Sequence, residues 1–304
     1  MKVLVTGGAG FIGSHLVDEL IKSGEDVVII DNLSNGYKEN INPSARFYET
    51  DIRDKKLVEI FKKEKPEIVF HLAAQINLVK SIENPIYDAE VNILGSLNVL
   101  ECSRKIGVQK MVFSSSAAVF GEPKYLPVDE EHPLIPTSPY GIGKLTIEKY
   151  LYHYWRNFGI DYTVLRYANV YGERQNPGGE AGVISIFIDK ILKGERPVIY
   201  GDGKSTRDYV YVGDVVRANL LAMRRSTEHK IFNIGTGIET SVNELLDTVR
   251  EITNSDLQPL YKPPRKEVRR FVMKVERAKK YLKWQPETNL RTGIMKTVKY
   301  FKEK

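Results

Sequence analysis

The sequence predicts an α/β protein, a doubly wound parallel sheet with a smaller, interleaved carboxy-terminal lobe. Three observations carry this. In the first half, short runs that are apolar throughout alternate with amphipathic stretches of helical period, as expected of strands covered on both faces and joined by helices. A glycine-rich turn follows the first of these runs directly. After Tyr167 the alternation stops, and residues 169–182 are rich in Gly, Pro and polar side chains. That stretch reads as a long functional loop opening a second lobe.

Taken in order, strands are expected over residues 2–6, 26–31, 45–50, 68–72, 110–115 and 161–167. Val3-Leu4-Val5 and Val27-Val28-Ile29-Ile30 show the β-branched content that suits a pleated surface. Helices are expected over 11–23, 55–65, 86–106 and 140–159, and right-handed crossovers place them on both faces. Beyond the loop come a helix over 184–193, a strand over 198–200 and the turn Gly201-Asp202-Gly203. An extended run over 207–212, a helix over 215–223 and a strand over 230–234 follow, the last able to rejoin the sheet. From Val242 the chain reads as helix, loop and two short helices. Residues 1–168 and 209–234 are thus expected to form one unit, and 169–208 with 235–304 the other, without a linker or repeat.

Apolar residues make up 42% of the chain and charged ones 28%, which fits a globular protein rather than a disordered one. No apolar stretch is long enough to cross a bilayer, and Met1-Lys2 leads straight into Val3 without the layout of a signal peptide. A cytoplasmic location without a membrane partner is expected. The single cysteine, Cys102, excludes an intrachain disulfide, and the five histidines never fall at i, i+4, so no metal site is expected. The net charge is +6, but basic residues are interleaved with acidic ones, as in Lys62-Lys63-Glu64-Lys65. This is a solvated surface suited to an anionic small substrate, not a nucleic-acid reader.

Strand 2–6 runs into Gly7-Gly8-Ala9-Gly10-Phe11-Ile12-Gly13 and then a helix. Glycines 7, 10 and 13 meet three needs: a tight turn, close approach of backbone to a pyrophosphate, and close helix–strand packing. The helix amino terminus behind them offers free N–H groups and the positive end of its dipole. Asp31 ends the second strand, where a carboxylate accepts hydrogen bonds from both ribose hydroxyls. It repels a 2′-phosphate, and Asn32-Leu33-Ser34 supplies no arginine. A Rossmann sheet binding NAD rather than NADP is expected.

Pro139-Tyr140-Gly141-Ile142-Gly143-Lys144 opens a helix, with Tyr140 and Lys144 one turn apart on one face. Tyrosine ordinarily loses its proton near pH ~10. A neighbouring ammonium and a positive nicotinamide ring both favour the phenolate, which makes Tyr140 a candidate base near neutrality. Strand 110–115 leads to Ser114-Ser115-Ser116 at the carboxyl edge of the sheet, where open α/β folds bind ligands. Tyr–Lys pairs and serine strand ends are each common alone. Together with the glycine turn they mark Ser116, Tyr140 and Lys144 as catalytic candidates.

With these motifs, further stretches make the chain resemble the extended short-chain dehydrogenase/reductase family over nearly its whole length. They are Asp51-Ile52-Arg53-Asp54, His71-Leu72-Ala73-Ala74, Val91-Asn92, Leu165-Arg166-Tyr167-Ala168-Asn169-Val170-Tyr171-Gly172 and Gly201-Asp202-Gly203 with Arg207-Asp208-Tyr209-Val210. Within that family the chain is most similar to the NAD-dependent epimerase/dehydratases of the UDP-glucose 4-epimerase branch. The resemblance implies cofactor contacts from Gly7, Gly10, Phe11, Ile12, Gly13, Asp31, Asn32, Leu72, Ala73, Ala74, Gln75, Ser114, Tyr140 and Lys144. Asp51 and Ile52 would border the adenine, and Asn92 would support the sheet beside the cofactor. Substrate contacts are implied for Ser116, Tyr140, Asn169, Val183, Tyr200 and Arg207, with Asn169 and Arg207 on the diphosphate and Tyr200 against the base. In the family a second diphosphate arginine lies in an Arg-x-Gly-Asp/Glu stretch. Here Pro264-Arg265-Lys266-Glu267-Val268-Arg269 lacks the glycine, which leaves Arg265 or Arg269, with Arg265 preferred. Phe271 falls near a position where residue size controls access of 2-acetamido sugars.

The implied reaction is 4-epimerisation of a UDP-sugar, with UDP-glucose and UDP-galactose favoured. Tyr140 would take the C4 hydroxyl proton while hydride passes to NAD, and the transient 4-keto sugar would turn over before hydride returns to its other face. Dehydratases and UDP-glucuronate decarboxylases of the family carry Asp-Glu or Glu after the catalytic Ser/Thr. Ala117-Ala118 stand there here, which disfavours both. UDP-glucuronate and UDP-N-acetyl sugars stay open as substrates, as does an NAD(P)-linked reductase that consumes cofactor. A non-catalytic NAD-binding protein would have little reason to keep the three catalytic candidates together. Helices 86–106 and 140–159 carry apolar residues beyond one face, among them Leu94, Leu97, Leu100, Tyr150 and Tyr154. The matching family helices pair across a twofold axis, so a homodimer is expected.

Overall fold

Each apolar run of the first half becomes a parallel strand. The computed structural model describes residues 1–178, 182–265 and 267–304. The chain begins β1 (Lys2–Thr6), α1 (Phe11–Lys22), β2 (Asp26–Asp31), β3 (Arg46–Glu49), α2 (Leu57–Glu64) and β4 (Ile68–His71). Next come α3 (Leu78–Glu83), α4 (Pro85–Ala89), a π-helical turn (Glu90–Gly95) and α5 (Ser96–Ile106). β5 (Lys110–Ser116), α6 (Pro139–Phe158) and β6 (Asp161–Tyr167) complete the first half. The second lobe opens with β7 (Asn169–Tyr171), α7 (Val183–Leu192), β8 (Val198–Tyr200), β9 (Thr206–Arg207) and β10 (Tyr209–Tyr211). α8 (Val212–Arg224) and β11 (Ile231–Ile234) return to the sheet before β12 (Thr240–Ser241), α9 (Val242–Thr253), β13 (Leu260–Lys262) and α10 (Leu290–Glu303).

The central sheet has seven strands in the order β11-β6-β5-β4-β1-β2-β3, parallel at every pairing. The chain winds outward from β1 to β3, then crosses over to β4 and winds the other way. That reversal leaves a crevice at the carboxyl ends of β1 and β4, where ligands bind in open α/β sheets. Side-chain alternation along β1 divides the core between the two faces. Val3 and Val5 pack with Leu16 and Leu20 of α1 and Val215 of α8. Leu4 packs with Phe61 of α2, Leu100 of α5 and Ile147 of α6. Cys102 lies in the second group, and burial pushes its thiol up to about 11, the setting of a packing residue rather than a nucleophile.

Three expectations need correction. The stretch 86–106 is not one helix: Asn84 caps α4, its side chain accepting from Tyr87 N, Pro85 occupies the first turn, and the π-helical turn intervenes before α5. Residues 169–182 include a strand, because β7 pairs in parallel with β10. The carboxy-terminal stretch carries a further strand, β13, paired with β8, and α10 runs for 14 residues. This tail is tied to α8 by Asp214. Its carboxylate accepts from Glu287 N and Thr288 N at 3.0 Å each, and its carbonyl accepts from the fully buried Trp284 Nε1 at 2.8 Å. Of the apolar residues expected on an open helical face, Leu94 and Tyr150 are exposed, whereas Leu100 and Tyr154 are buried within the chain.

Candidate active site

A cleft of about 420 Å³ opens at the crevice. The β1–α1 turn forms its floor. Gly7 has a φ of +74°, and a Cβ there would stand 2.7 Å from Ala73 N; a Cβ on Gly13 would stand 2.0 Å from Gly7 O. No larger residue fits either place without moving backbone. Gly10 caps α1 without a side-chain hydrogen bond, so the first N–H groups of the helix stay available to an anion. This cradle fits the diphosphate of a dinucleotide.

Asp31, buried at the end of β2, accepts from Ala9 N at 3.0 Å through Oδ2 and from Leu33 N at 2.8 Å through Oδ1. Burial pushes its carboxyl above the usual range, and the two backbone bonds oppose that. They fix the group while leaving each oxygen a further lone pair for a ribose hydroxyl. Asn32 donates to Asp51 at 2.7 Å, and hydrogen bonding from Arg53 holds the Asp51 carboxyl down at about 2. Asp31→Ala is expected to weaken NAD binding about tenfold or more, since hydrogen bonds to a charged group are worth about 1.5–3 kcal/mol. NADP binding would change less. Dissociation constants by fluorescence titration test this, and an unchanged preference would assign ribose recognition to another residue.

The expected residues Gly7, Gly10, Phe11, Ile12, Gly13, Asp31, Asn32, Asp51, Ile52, Leu72, Ala73, Ala74, Gln75, Ser114, Tyr140 and Lys144 all line the cleft. Asn92 does not. It is buried behind the wall, where its side chain clamps Gln75 by accepting from Gln75 N and donating to Gln75 O, each at 2.9 Å. The cleft also takes in residues without a local sequence signal: Asn35, Gly36 and Tyr37 after β2, Asn77 and Lys80, Tyr87, and Arg174 to Asn176 with Gly178. Arg174 reaches back to Asp18 of α1 at 2.7 Å. Only the Gly- and Pro-rich composition of that loop pointed to it.

Ser138 and Pro139 start α6, the serine accepting from Gly141 N at 3.1 Å. This aims Tyr140 and Lys144 at the end of β5. Lys144 Nζ donates to Ser114 O at 2.7 Å and lies 5.8 Å from the centre of the Tyr140 ring. The three serines have different surroundings. Ser114 Oγ hydrogen-bonds Tyr167, Ser115 donates to buried Glu148 at 2.6 Å, and Ser116, which does not line the cleft, accepts from Ala118 N at 3.2 Å close to the Tyr140 phenol. Burial lowers Lys144 to about 8 and raises Tyr140 to about 12, nearby Ser116 opposing the latter and the Asp88 charge adding to it. A phenolate near neutrality is therefore not set up by the protein's own groups, because loss of water outweighs the favourable neighbours.

Behind the pair, Glu148 receives Arg166 in bidentate fashion, at 3.0 and 2.6 Å, with both side chains almost wholly buried. His71 sits between Thr6 and Ser96, and burial holds it neutral at about 3.

The expected substrate residues Asn169, Val183, Tyr200, Arg207 and Arg265 lie outside this cleft, in the second lobe. Two of them meet: the Arg265 guanidinium covers the Tyr200 ring, 3.5 Å from its centre. Arg207 donates to Thr206 O at 2.8 Å and to Glu267 at 3.2 Å. Arg269, the other candidate arginine, pairs with Asp202 at 3.0 Å. Asn169 is exposed in β7, and Val183 begins α7. Phe271 is buried and neighbours Phe120, their ring centres 6.2 Å apart.

A family model described as the NAD dependent epimerase/dehydratase family matches residues 3–235. The UDP-glucose 4-epimerase of Mycolicibacterium smegmatis is 43% identical over 311 residues, covering 100% of this chain and 99% of that protein. Among solved structures, a UDP-glucose 4-epimerase with UDP-glucose from Thermotoga maritima superposes with a TM-score of 0.97 at 51% identity, covering 100% of this chain and 99% of that one. A Thermus thermophilus UDP-glucose 4-epimerase in complex with NAD gives a TM-score of 0.94 at 41% identity, covering 99% of each chain. With the glycine cradle, the strand-end aspartate and a family match spanning the whole sheet, the chain belongs to the NAD dependent epimerase/dehydratase family, and its cofactor is NAD.

Proposed function

We propose that this chain is an isomerase that interconverts the C4 epimers of a UDP-sugar, UDP-glucose and UDP-galactose first among them, without net use of NAD. The observation that carries this reading is the placing of Tyr140 and Lys144 in one cleft with the glycine cradle, with Ser116 close to Tyr140, in a chain alignable end to end with proteins named UDP-glucose 4-epimerase. Held by the glycine cradle and Asp31, NAD would supply a hydride acceptor and donor for C4 and a positive ring that favours a phenolate nearby. Tyr140 takes the C4 hydroxyl proton and later gives it back, Ser116 orients that hydroxyl, and the charge on Lys144 supports the phenolate. Arg207, Arg265, Asn169, Tyr200 and Val183 hold the nucleotide, so the sugar turns on a fixed anchor. Ala117 and Ala118 lie in a short 3₁₀ turn after Ser116 and supply no acid for elimination.

The test is incubation with UDP-galactose and catalytic NAD, following the sugar by chromatography and NADH by absorbance. UDP-glucose without NADH accumulation is expected. NADH building up in proportion to sugar would overturn the reading in favour of a dehydrogenase.

We also read the exposed apolar residues Ile82, Ile86, Leu94 and Ile142 of the α3–α6 face as a twofold subunit interface. Light scattering at micromolar protein is expected to give twice the chain mass of 34.7 kDa. A monomer mass would remove this assignment.

A further inference from the structure

Asp88 is only 1% exposed, and it is held in α4 by the Asn84 cap and Pro85. Both hydrogen bonds to its carboxylate enter Oδ1, from Gln75 Nε2 at 2.8 Å and Asn92 Nδ2 at 3.0 Å. Oδ2 takes neither and faces α6 at Gly143, where a Cβ would stand 3.7 Å away. The residue after that glycine is Lys144. Among the described residues Asp88 makes no direct ion pair. Burial disfavours the charge of a carboxylate this deep and the two neutral amides oppose that, so a nearby cation adds to its stability.

Lys144 has the complementary need. It is 4% exposed, and its partners at close range are the Ser114 carbonyl and the Phe113 ring, 4.9 Å from Nζ. Neither bears a full negative charge. The ionisable groups around it come from several elements. His71 of β4 is neutral. Tyr140 shares α6. Glu148, one turn further along α6, is already balanced by Arg166 of β6. Asp88 of α4 turns Oδ2 toward Gly143, the residue before the lysine. Asp88 and Glu148 both favour the lysine's proton, against burial, and Lys144 in turn favours ionised Asp88. With Glu148 matched to Arg166, Asp88 is the uncompensated carboxylate of this group.

We propose that Asp88 is the counter-ion of Lys144, a positioning residue that keeps the lysine's ammonium charged. The same charge disfavours ionisation of Tyr140 directly. The two amides then have a defined purpose: they hold the carboxylate as an anion without cancelling its charge. This rests on the reading of Tyr140 and Lys144 as the catalytic pair.

Asp88→Asn separates charge from architecture, because a carboxamide oxygen accepts the same two amides while the negative charge disappears. In the NAD-loaded protein, the proton on Lys144 is followed by the ¹³Cε shift of that lysine, assigned by its loss in Lys144→Arg. In Asp88→Asn the lysine is expected to lose its proton about one pH unit lower, a tenfold drop in proton affinity. Asp88→Glu is expected to stay near the parent value, and NAD affinity to hold in both. At about pH 8 the kcat of Asp88→Asn falls while KM holds. Identical lysine titrations in parent and Asp88→Asn overturn the proposal, whatever the activity. If Asp88→Asn does not fold, the parent decides: a Lys144 deprotonated below about pH 7 overturns the proposal, and one charged above it supports it. A shifted titration with unchanged turnover leaves the counter-ion assignment standing and instead removes Lys144 from the catalytic pair.

Discussion

Tyr140→Phe is expected to lower kcat by about a thousandfold while NAD and nucleotide-sugar affinities stay within a few-fold of the parent. A positioned general base typically contributes about 10²–10⁴ in rate, and the substitution removes the single atom that does the work. The ring itself remains, so the start of α6, fixed by Ser138 and Pro139, keeps its packing. Removing a hydroxyl whose pKa burial has already raised to about 12 does not strand a charge. Affinity for NAD by fluorescence and for UDP by calorimetry, set beside steady-state kinetics, separates binding from chemistry. Near-normal turnover would remove Tyr140 as the base.

Arg166→Met is expected to give the largest loss of stability, about 3–5 kcal/mol, because it leaves Glu148 as an unpaired charge inside the protein. In a chain of this size that corresponds to a melting temperature lower by about 5–8 °C. The arginine is well embedded: its guanidinium lies 5.0 Å from the centre of the Phe120 ring as well as on Glu148. The informative comparison is the double variant Arg166→Met/Glu148→Leu. With both charges gone the desolvation penalty goes too, so the pair is expected to be more stable than Arg166→Met alone. Calorimetry on the three proteins measures this, and a loss below about 1 kcal/mol in Arg166→Met would show that water reaches the pair. Activity is expected to fall as well, since Glu148 also holds Ser115, next to Ser116.

Sequence and structure agree where a local pattern is the cause. β1, the glycine turn and α1 were legible because Val3-Leu4-Val5 must be buried on both faces and Gly13 must lie against Gly7. Asp31 was legible from its place at a strand end. The surroundings of the candidate pair were not. Asp88, Gln75 and Asn92 meet across turns, and the π-helical turn that presents Asn92 breaks the helical period over 86–106. The strands of the second lobe are two or three residues long, too short for alternation to register. Arg166 read as part of a β6 motif, but its partner Glu148 lies on another element, and only the fold joins them. Leu100 and Tyr154 looked outward by helical spacing because a helical wheel does not show the neighbouring elements, such as α5, where Glu101 accepts from the Tyr154 hydroxyl at 2.6 Å.

The return of β11 to the edge of β6 also bears on how the nascent chain matures. When β6 has left the ribosome, one of its edges pairs with β5, but the other stays open until Ile231–Ile234 emerges. In the meantime the whole β7–α8 excursion must be synthesised. A ribosome paused inside that interval holds a nearly complete sheet with an apolar strand bare along one side, which is a template for wrong pairing with a neighbouring chain. Codon-level slowing between β6 and β11 would therefore cost soluble yield, while slowing after Ile234 would not.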